Sequence, residues 1–358
     1  MNRYSRHIIL SEVGPKGQNK LLQAKVLVVG AGGLGCPALQ YLVAGGIGTV
    51  GIIDFDVVEE SNLQRQILFG TSSLGINKAI AAKSRLEDLN PTIIINAYPE
   101  KLTSKNVLKL FNAYDIIVDG TDNFTTRYLI NDAAIIANKP IVYGAIYKFE
   151  GQVSVFNYQD GPSYRCLFPI PPKAGSVTNC SEVGVLGVLP GIIGSMQANE
   201  VIKMILRFKD VLSGKLFCYD AKTCQTTTLK IQKSAIEFDK VLARKDSFDT
   251  YEEDISCSIS IPEISADDLL LKNNILFIDV RELHEQPELN IPNCIQIPLI
   301  KLEENLDKVN SKNTNILFCQ TGIRSKKAIA LLQKHNKTNC YSLIGGISTL
   351  MQQVKVKI

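Results

Sequence analysis

Residues 25–30 (KVLVVG) form an apolar run ending in glycine, the pattern of a parallel strand buried on both faces. Cys36–Ala44 follows as a helix, and TVGII at 49–53 as the next strand. The alternation continues through IIINAYP at 93–99, a helix, DIIVDG at 115–120 and PIVYGAI at 140–146. Strand and helix in alternation predict a doubly wound α/β sheet. QVSVFNY at 152–158 changes to a period of two, so the later strands are expected to run antiparallel. A glycine-rich loop at 184–194, a helix from Ser195 to Phe208 and strands near 215–220 and 226–231 complete this part.

Between about Ile231 and Ile261 the periodicity dissolves into the charged, serine-rich KDSFDTYEEDISCSISIP. A second set of βα signals then begins: NNILFIDV at 273–280, TNILFCQ at 314–320 leading into SKKAIALLQKH, and NCYSLIGG. The chain therefore reads as a domain over 1–232, a linker over 233–259 and a small α/β domain over 260–358.

Composition changes this picture little. With 45% hydrophobic and 21% charged residues, the 358-residue chain reads as a soluble globular protein. A net charge of +4 without any Lys/Arg block gives no reason to invoke nucleic acid. The apolar stretch Val26–Ile53 is long enough for a membrane span, but its eight glycines and Pro37 favour strand, turn, helix and strand, so no membrane association is expected. Nine cysteines without a C-x-x-C pair, behind a start too short in apolar residues for a secretory signal, suggest a reducing, cytoplasmic compartment.

Candidate chemistry begins with Gly30, Gly32 and Gly35, which satisfy G-x-G-x-x-G between a strand and a helix. Such a loop brings backbone N–H groups and a helix N-terminus to phosphate. Asp54 ends the second strand, where it can meet ribose hydroxyls. The motif says nucleotide but does not choose NAD over ATP. The stretch DFDVVEESNLQRQ at 54–66 adds Asp56, Ser61, Asn62, Arg65 and Gln66, with Lys78 close behind. Two cations suit a triphosphate under attack at its α-phosphorus, where charge builds on oxygen. Hydride transfer usually wants an acid–base histidine, and His7, His284 and His335 stand in no suitable motif. DGTDN at 119–123 ends another parallel strand; its Asp122 can hold Mg²⁺ between phosphates or cap the next helix.

RYSRHIIL, GAGGLG, DFDVVEESNLQRQ, DGTDN and FEGQVSVF, in that order, resemble the MoeB/ThiF family of adenylyltransferases, bacterial relatives of the ubiquitin-activating enzymes. The resemblance covers residues 1 to about 232 and implies a Rossmann-like, mixed doubly wound sheet. It also implies MgATP-dependent adenylation of the C-terminal Gly-Gly carboxylate of a ubiquitin-like sulfur carrier. By position it puts Gly33 and Asp54 on the nucleotide, Asn62, Arg65 and Lys78 on ribose and phosphates, and Asp122, beside Asn123, on Mg²⁺. It further implies a homodimer in which Arg6 reaches the other subunit's ATP.

One departure concerns zinc. The family commonly carries two C-x-x-C pairs, whereas SYRCLFP keeps Cys166 and has Pro169 where its mate would stand, and the second pair is missing near 232–250. Four thiolates cannot be assembled, so no structural zinc is expected and this subdomain must be held by packing alone.

Two other cysteines have claims to chemistry. Cys180, in SVTNCSEVGVLG, matches the position that in some members bonds covalently to the activated carrier; it reads equally as a small buried hydrophobe. Cys319 opens the loop CQTGIR, where backbone N–H groups, a helix N-terminus and Arg324 favour an anionic sulfur. Only four residues separate Cys319 from Arg324, a ring suited to one sulfur atom rather than to phosphate. With FIDVRE and LIGGI, residues 260–358 resemble a rhodanese, although the usual G-H-I-P-G-A stretch is degraded to ELNIPNC. The resemblance implies a Cys319 persulfide, loaded by an upstream donor such as a cysteine desulfurase.

The favoured reading is one enzyme that adenylates a sulfur carrier and delivers sulfur to it. The carrier is of the molybdopterin-synthase small-subunit or thiamine type. An NAD(P)-dependent oxidoreductase and a non-catalytic carrier-docking scaffold are the alternatives.

Overall fold

The computed structural model describes residues 2–172, 184–250, 261–269, 272, 274–287, 291–310 and 312–356. The chain divides into two units, Met1–Ile255 and Ser256–Ile358.

The first unit is built on an eight-stranded sheet. Its strands are β1 (Lys25–Val29), β2 (Thr49–Ile53), β3 (Ile94–Tyr98), β4 (Ile116–Asp119), β5 (Ile141–Tyr147), β6 (Glu150–Phe156), β7 (Lys215–Asp220) and β8 (Thr226–Lys230). They lie in the order β3-β2-β1-β4-β5-β6-β7-β8. The pairs from β3 through β5 are parallel and those from β5 through β8 antiparallel, so the mixed sheet agrees with the change of period at 152–158. The order reverses between β1 and β4, the crevice where such sheets bind ligands.

Helices α1 (Ser5–Ile8), α2 (Gly14–Gln23), α3 (Gly35–Ala44), α4 (Lys78–Leu89), α5 (Ser104–Asn112), α6 (Phe124–Ala137), α7 (Tyr164–Leu167) and α8 (Leu189–Leu206) cover the sheet. One core joins α3, α4 and α8 to one face through Leu39, Leu42, Ala82, Ala198 and Val201; the other face carries α5 and α6 through Val107, Phe111, Tyr128 and Ile130.

Two boundaries depart from the sequence reading. Helix α8 starts at Leu189, inside the stretch expected to be loop. The glycines there serve packing: a Cβ on Gly194 would lie 2.3 Å from the Leu34 carbonyl oxygen and 2.5 Å from Pro37. The expected linker 233–259 is also partly structured. Helix α9 (Ala235–Leu242) and a 3-10 segment, Lys245–Thr250, bury Val241 and Phe248, the latter in the core beneath α5 and α6. Residues 251–260 lie outside those described.

The second unit has five parallel strands: β9 (Glu263–Ile264), β10 (Ile275–Asp279), β11 (Cys294–Gln296), β12 (Thr314–Phe318) and β13 (Cys340–Leu343), in the order β11-β10-β12-β13-β9. Helices α10 (Ala266–Leu269), α11 (Ile323–Lys334) and α12 (Gly346–Val356) accompany them. No helix among the described residues is long and apolar enough to cross a membrane.

Candidate functional site

The glycine loop is shaped by backbone contact. Gly30 leaves β1 at φ +91°, and its N–H donates to the Ile53 carbonyl at the end of β2. A Cβ on Gly30 would lie 2.9 Å from the Gly120 carbonyl oxygen, and one on Gly35 only 1.9 Å from that of Gly30. These glycines let β1, the loop after β4 and the start of α3 touch. Gly32 differs: its Cβ would meet only the Gln66 amide nitrogen, at 3.8 Å. Gly33 lies between Pro190, on α8, and the Arg65 side chain.

The residues after β2 form the wall of this crevice. Asp54 Oδ2 accepts the Ala31 N–H at 2.8 Å and Oδ1 accepts that of Asp56 at 2.9 Å, locking the strand end to the glycine loop. Burial raises its pKa above the usual carboxylate value, against those two N–H groups. Lys78, 7% exposed, pairs with the exposed Asp56 at 3.2 Å. Asn77 caps α4 by accepting from the Ala79 and Ile80 N–H groups, while its own amide donates to the carbonyls of Asp54 and Asp56. It thereby fixes Lys78 against 54–56, a role not foreseen from the sequence.

In SNLQRQ, Ser61 is exposed and its carbonyl accepts from Arg65 at 3.0 Å. Asn62 is buried and its Oδ1 accepts the Glu59 N–H, which fixes the turn. Gln66 is buried with its Oε1 lacking a partner, an orphaned acceptor beside Gly32. A ligand donating from a nucleotide amino or hydroxyl group would satisfy it.

At the end of β4 the cap is Asn123, whose Oδ1 accepts the Thr126 N–H, rather than Asp122. Asp122 is exposed, with no hydrogen bond to its carboxylate among the described residues, and such a carboxylate suits a hard cation. Beneath it, Asp119 accepts from the Thr121 N–H and Oγ1. Arg127 lies 3.9 Å from Asp119 and donates to the carbonyls of Thr121 and Gly144 and to the Tyr143 hydroxyl. Burial holds the Asp119 pKa up, opposed chiefly by Arg127. Gln197, fully buried on α8, donates to the carbonyls of Asp119 and Val142. Arg127 and Gln197 thus set the loop bearing Asp122, and neither stands in a recognisable motif.

Arg6 does not join the others within this chain. Its neighbours Tyr4 and His7 pack on Gly46 and Gly45 at the far end of the ten-residue α3, about 15 Å of helix from the glycine loop. Arg6 itself is exposed, next to the exposed Ile9 and Leu10. Cys180 lies outside the described residues. The chain returning from that segment is seated on the crevice, with the Leu186 N–H on the Lys148 carbonyl, Gly187 against Gln64 and Pro190 against Gly33.

Cys166 is tied into hydrogen bonds. Its Sγ accepts the N–H groups of Ser163, at 3.3 Å, and of Ser234, at 3.2 Å. These bonds join the α7 segment to the start of α9, so hydrogen bonding adds to packing here. No cluster of three metal-ligating side chains occurs among the described residues.

In the second unit Cys319 follows β12 and is 1% exposed. Its Sγ accepts the Gly322 N–H at 3.2 Å, and Gly322 takes φ +95° to turn the loop into α11. The Cys319 carbonyl accepts the Ile347 N–H, and a Cβ on Gly346 would lie 2.3 Å from that oxygen. Ser325 donates to the Gly322 carbonyl and meets Ser342 at 2.8 Å, bracing the loop from below. A buried sulfur that accepts a backbone N–H at the start of a helix is suited to carrying an anionic sulfur. Arg324 faces Glu285, which the sequence reading did not single out. Burial raises the pKa of Cys36 to about 12 and that of Cys340 to about 11, so these thiols are packing residues.

Residues 4–237 match the ThiF family and residues 265–353 the rhodanese-like domain. The chain is 41% identical to the probable adenylyltransferase/sulfurtransferase MoeZ of Mycobacterium tuberculosis, over 99% of this chain and 93% of that protein. It is 50% identical to a sulfur carrier protein adenylyltransferase of Thermus thermophilus, over 65% of this chain and 88% of the relative. Among solved structures, that of Escherichia coli MccB with ATP superposes with a TM-score of 0.58 at 23% identity, covering 66% of this chain and 72% of the other; that likeness is one of fold.

Proposed function

This chain belongs to the ThiF family, with a rhodanese-like domain behind it, and from that premise we propose how its two units carry out adenylation and sulfur transfer to a sulfur-carrier protein. The family selects adenylyltransferase over the oxidoreductase and scaffold readings. The reading is carried by the convergence of the glycine loop, Asp54, Lys78 and the orphaned Gln66 acceptor at the β1–β4 crevice.

The substrate ATP lies with its phosphates on the glycine loop and the N-terminus of α3 and its ribose by Asp54, with Gln66 beside the loop. Asp122 would hold the Mg²⁺ that accompanies the phosphates, screening their charge. Lys78 and Arg65 neutralise charge on the α-phosphate as the carrier's terminal Gly-Gly carboxylate attacks it and pyrophosphate leaves. Lys78 leaves Asp56 for phosphate in doing so. Arg6 serves the nucleotide of a second copy of the chain in a homodimer; its exposure beside Ile9 and Leu10 supports this.

Adenylation turns a poor acceptor into one with a good leaving group. The outer sulfur of a Cys319 persulfide attacks the acyl carbon, AMP departs, and an acyl disulfide to Cys319 forms. A second thiol then attacks the Cys319 sulfur, the S–S bond breaks and the carrier thiocarboxylate leaves. Cys319 is left in a disulfide with that thiol, which a thiol reductant reduces before the next loading; Cys180 is our candidate for a covalent hold on the carrier between steps. A cysteine desulfurase reloads Cys319. The carrier is of the molybdopterin-synthase or thiamine type.

The direct test supplies ATP, Mg²⁺, a persulfide donor and a Gly-Gly carrier, and weighs the carrier by intact mass. Exchange of one terminal oxygen for sulfur, lost in Cys319→Ala, is expected. Thiocarboxylate at the same rate in Cys319→Ala would overturn the sulfur-transfer half.

A further inference from the structure

Arg324 is the cation of the CQTGIR loop, yet its charge is already engaged. Both terminal nitrogens donate to the Glu285 carboxylate, Nη2 to Oε2 at 2.7 Å and Nη1 to Oε1 in a shorter contact. The two side chains are only 20% and 24% exposed, so water screens them little. These bonds hold the Glu285 pKa down to about 2, and the pair stays charged throughout the physiological range. Glu282 is a second carboxylate close enough to act on Arg324.

The acidic partner is held deliberately in place. Asp279 and Arg281 form a buried ion pair at the end of β10. Arg281 also donates to the carbonyls of Gln286 and Pro287, and the Glu282 N–H donates to Glu285 Oε1 at 2.8 Å. The turn bearing Glu285 is thus fixed from within the core. In the loop itself the exposed Gln320 and Thr321 are neutral. The Arg324 guanidinium beside Cys319 is therefore bonded to one carboxylate, Glu285, and feels a second, Glu282.

Donors of sulfane sulfur differ in charge. Thiosulfate approaches as a dianion, whereas a persulfide on an uncharged tail carries at most one charge. We propose that Glu285 is a specificity-determining residue that, by occupying Arg324, turns the Cys319 loop away from dianionic donors and toward persulfides. It acts through Arg324 and so is a positioning residue. The inference rests on Cys319 being the sulfur-accepting thiol. In the favoured step the Cys319 thiolate attacks the outer sulfur of R–S–SH, the S–S bond breaks, R–S⁻ leaves with the electron pair, and Cys319–S–SH forms. With thiosulfate the same attack would expel sulfite.

The test measures the rate at which the full-length protein gains one sulfur on Cys319, by intact mass. The donors are thiosulfate and 2-hydroxyethyl persulfide. Glu285→Gln is expected to raise the thiosulfate rate about ten-fold or more and leave the persulfide rate within about two-fold, while Glu285→Asp keeps the wild-type preference. Added salt should speed the wild-type reaction with thiosulfate, by screening repulsion, and speed that of Glu285→Gln less. The wild-type salt series needs no variant to fold. An unchanged thiosulfate rate, an equal change with both donors, or a wild-type thiosulfate rate that falls with salt would overturn the assignment. If Cys319→Ala gains sulfur as fast as wild type, the reading of Cys319 itself has failed.

Discussion

Replacing Arg127 with methionine keeps much of the side-chain volume while removing the counter-charge of Asp119, which is 2% exposed. Three acceptors lose their donor: the carbonyls of Thr121 and Gly144 and the Tyr143 hydroxyl. Breaking a buried pair on one side costs about 3–5 kcal/mol, most of it for the charge left behind. The cost depends on pH. Burial already holds the Asp119 pKa above its ordinary value and Arg127 is the main opposing influence, so the variant's Asp119 binds its proton more tightly still. A group whose pKa is raised by folding stabilises the fold in acid and loses that contribution as pH rises through the folded value. The deficit of Arg127→Met should therefore be smaller near pH 5 than near pH 8.

The assay is urea unfolding followed by tyrosine fluorescence at both pH values. The chain has no tryptophan, and Tyr128, Tyr143 and Tyr164 stack in the cluster beside Arg127. A deficit below about 1 kcal/mol, or one equal at both pH values, would refute the reasoning. The same variant releases the Thr121 carbonyl, so its ATP–pyrophosphate exchange should fall where the folded population is intact.

Lys78→Met should lower ATP–pyrophosphate exchange by about a hundred-fold or more, chiefly in kcat, while ATP still binds by equilibrium dialysis. Gly35→Ala forces a Cβ to within 1.9 Å of the Gly30 carbonyl oxygen, so α3 must shift from β1; loss of ATP binding together with a lower Tm is expected. Cys319→Ser should abolish sulfur loading, read by intact mass, and leave exchange at the wild-type rate.

Much of the crevice is legible because its parts are local. Glycines that bring backbones together, an aspartate ending a strand, and SNLQRQ and TDN are contiguous strings with fixed consequences. The residues that hold these strings in place are not contiguous with them. Arg127 reaches the DGTDN loop from α6, Gln197 from α8, and Asn77 reaches back to Asp54 and Asp56, so each role exists only once the chain has folded. Glu285 lay next to FIDVRE, yet its partner stands 39 residues away. The misplaced start of α8 has a physical reason as well. Gly191 and Gly194 read as loop formers by propensity, but Gly194 permits the contact between α3 and α8. Likewise AIEFDKVL reads as linker because of the charged, serine-rich stretch that follows it, although five of its eight residues are apolar and Val241 and the following Phe248 are buried.

The central claim is that this crevice adenylates the carboxylate of a sulfur carrier. Carrier-stimulated exchange of labelled pyrophosphate into ATP, run with candidate Gly-Gly carriers and with Asp122→Ala as control, tests it most directly. Exchange that requires one of those carriers and is lost in Asp122→Ala is the predicted result. Bound ATP without exchange, whichever carrier is added, would contradict the account.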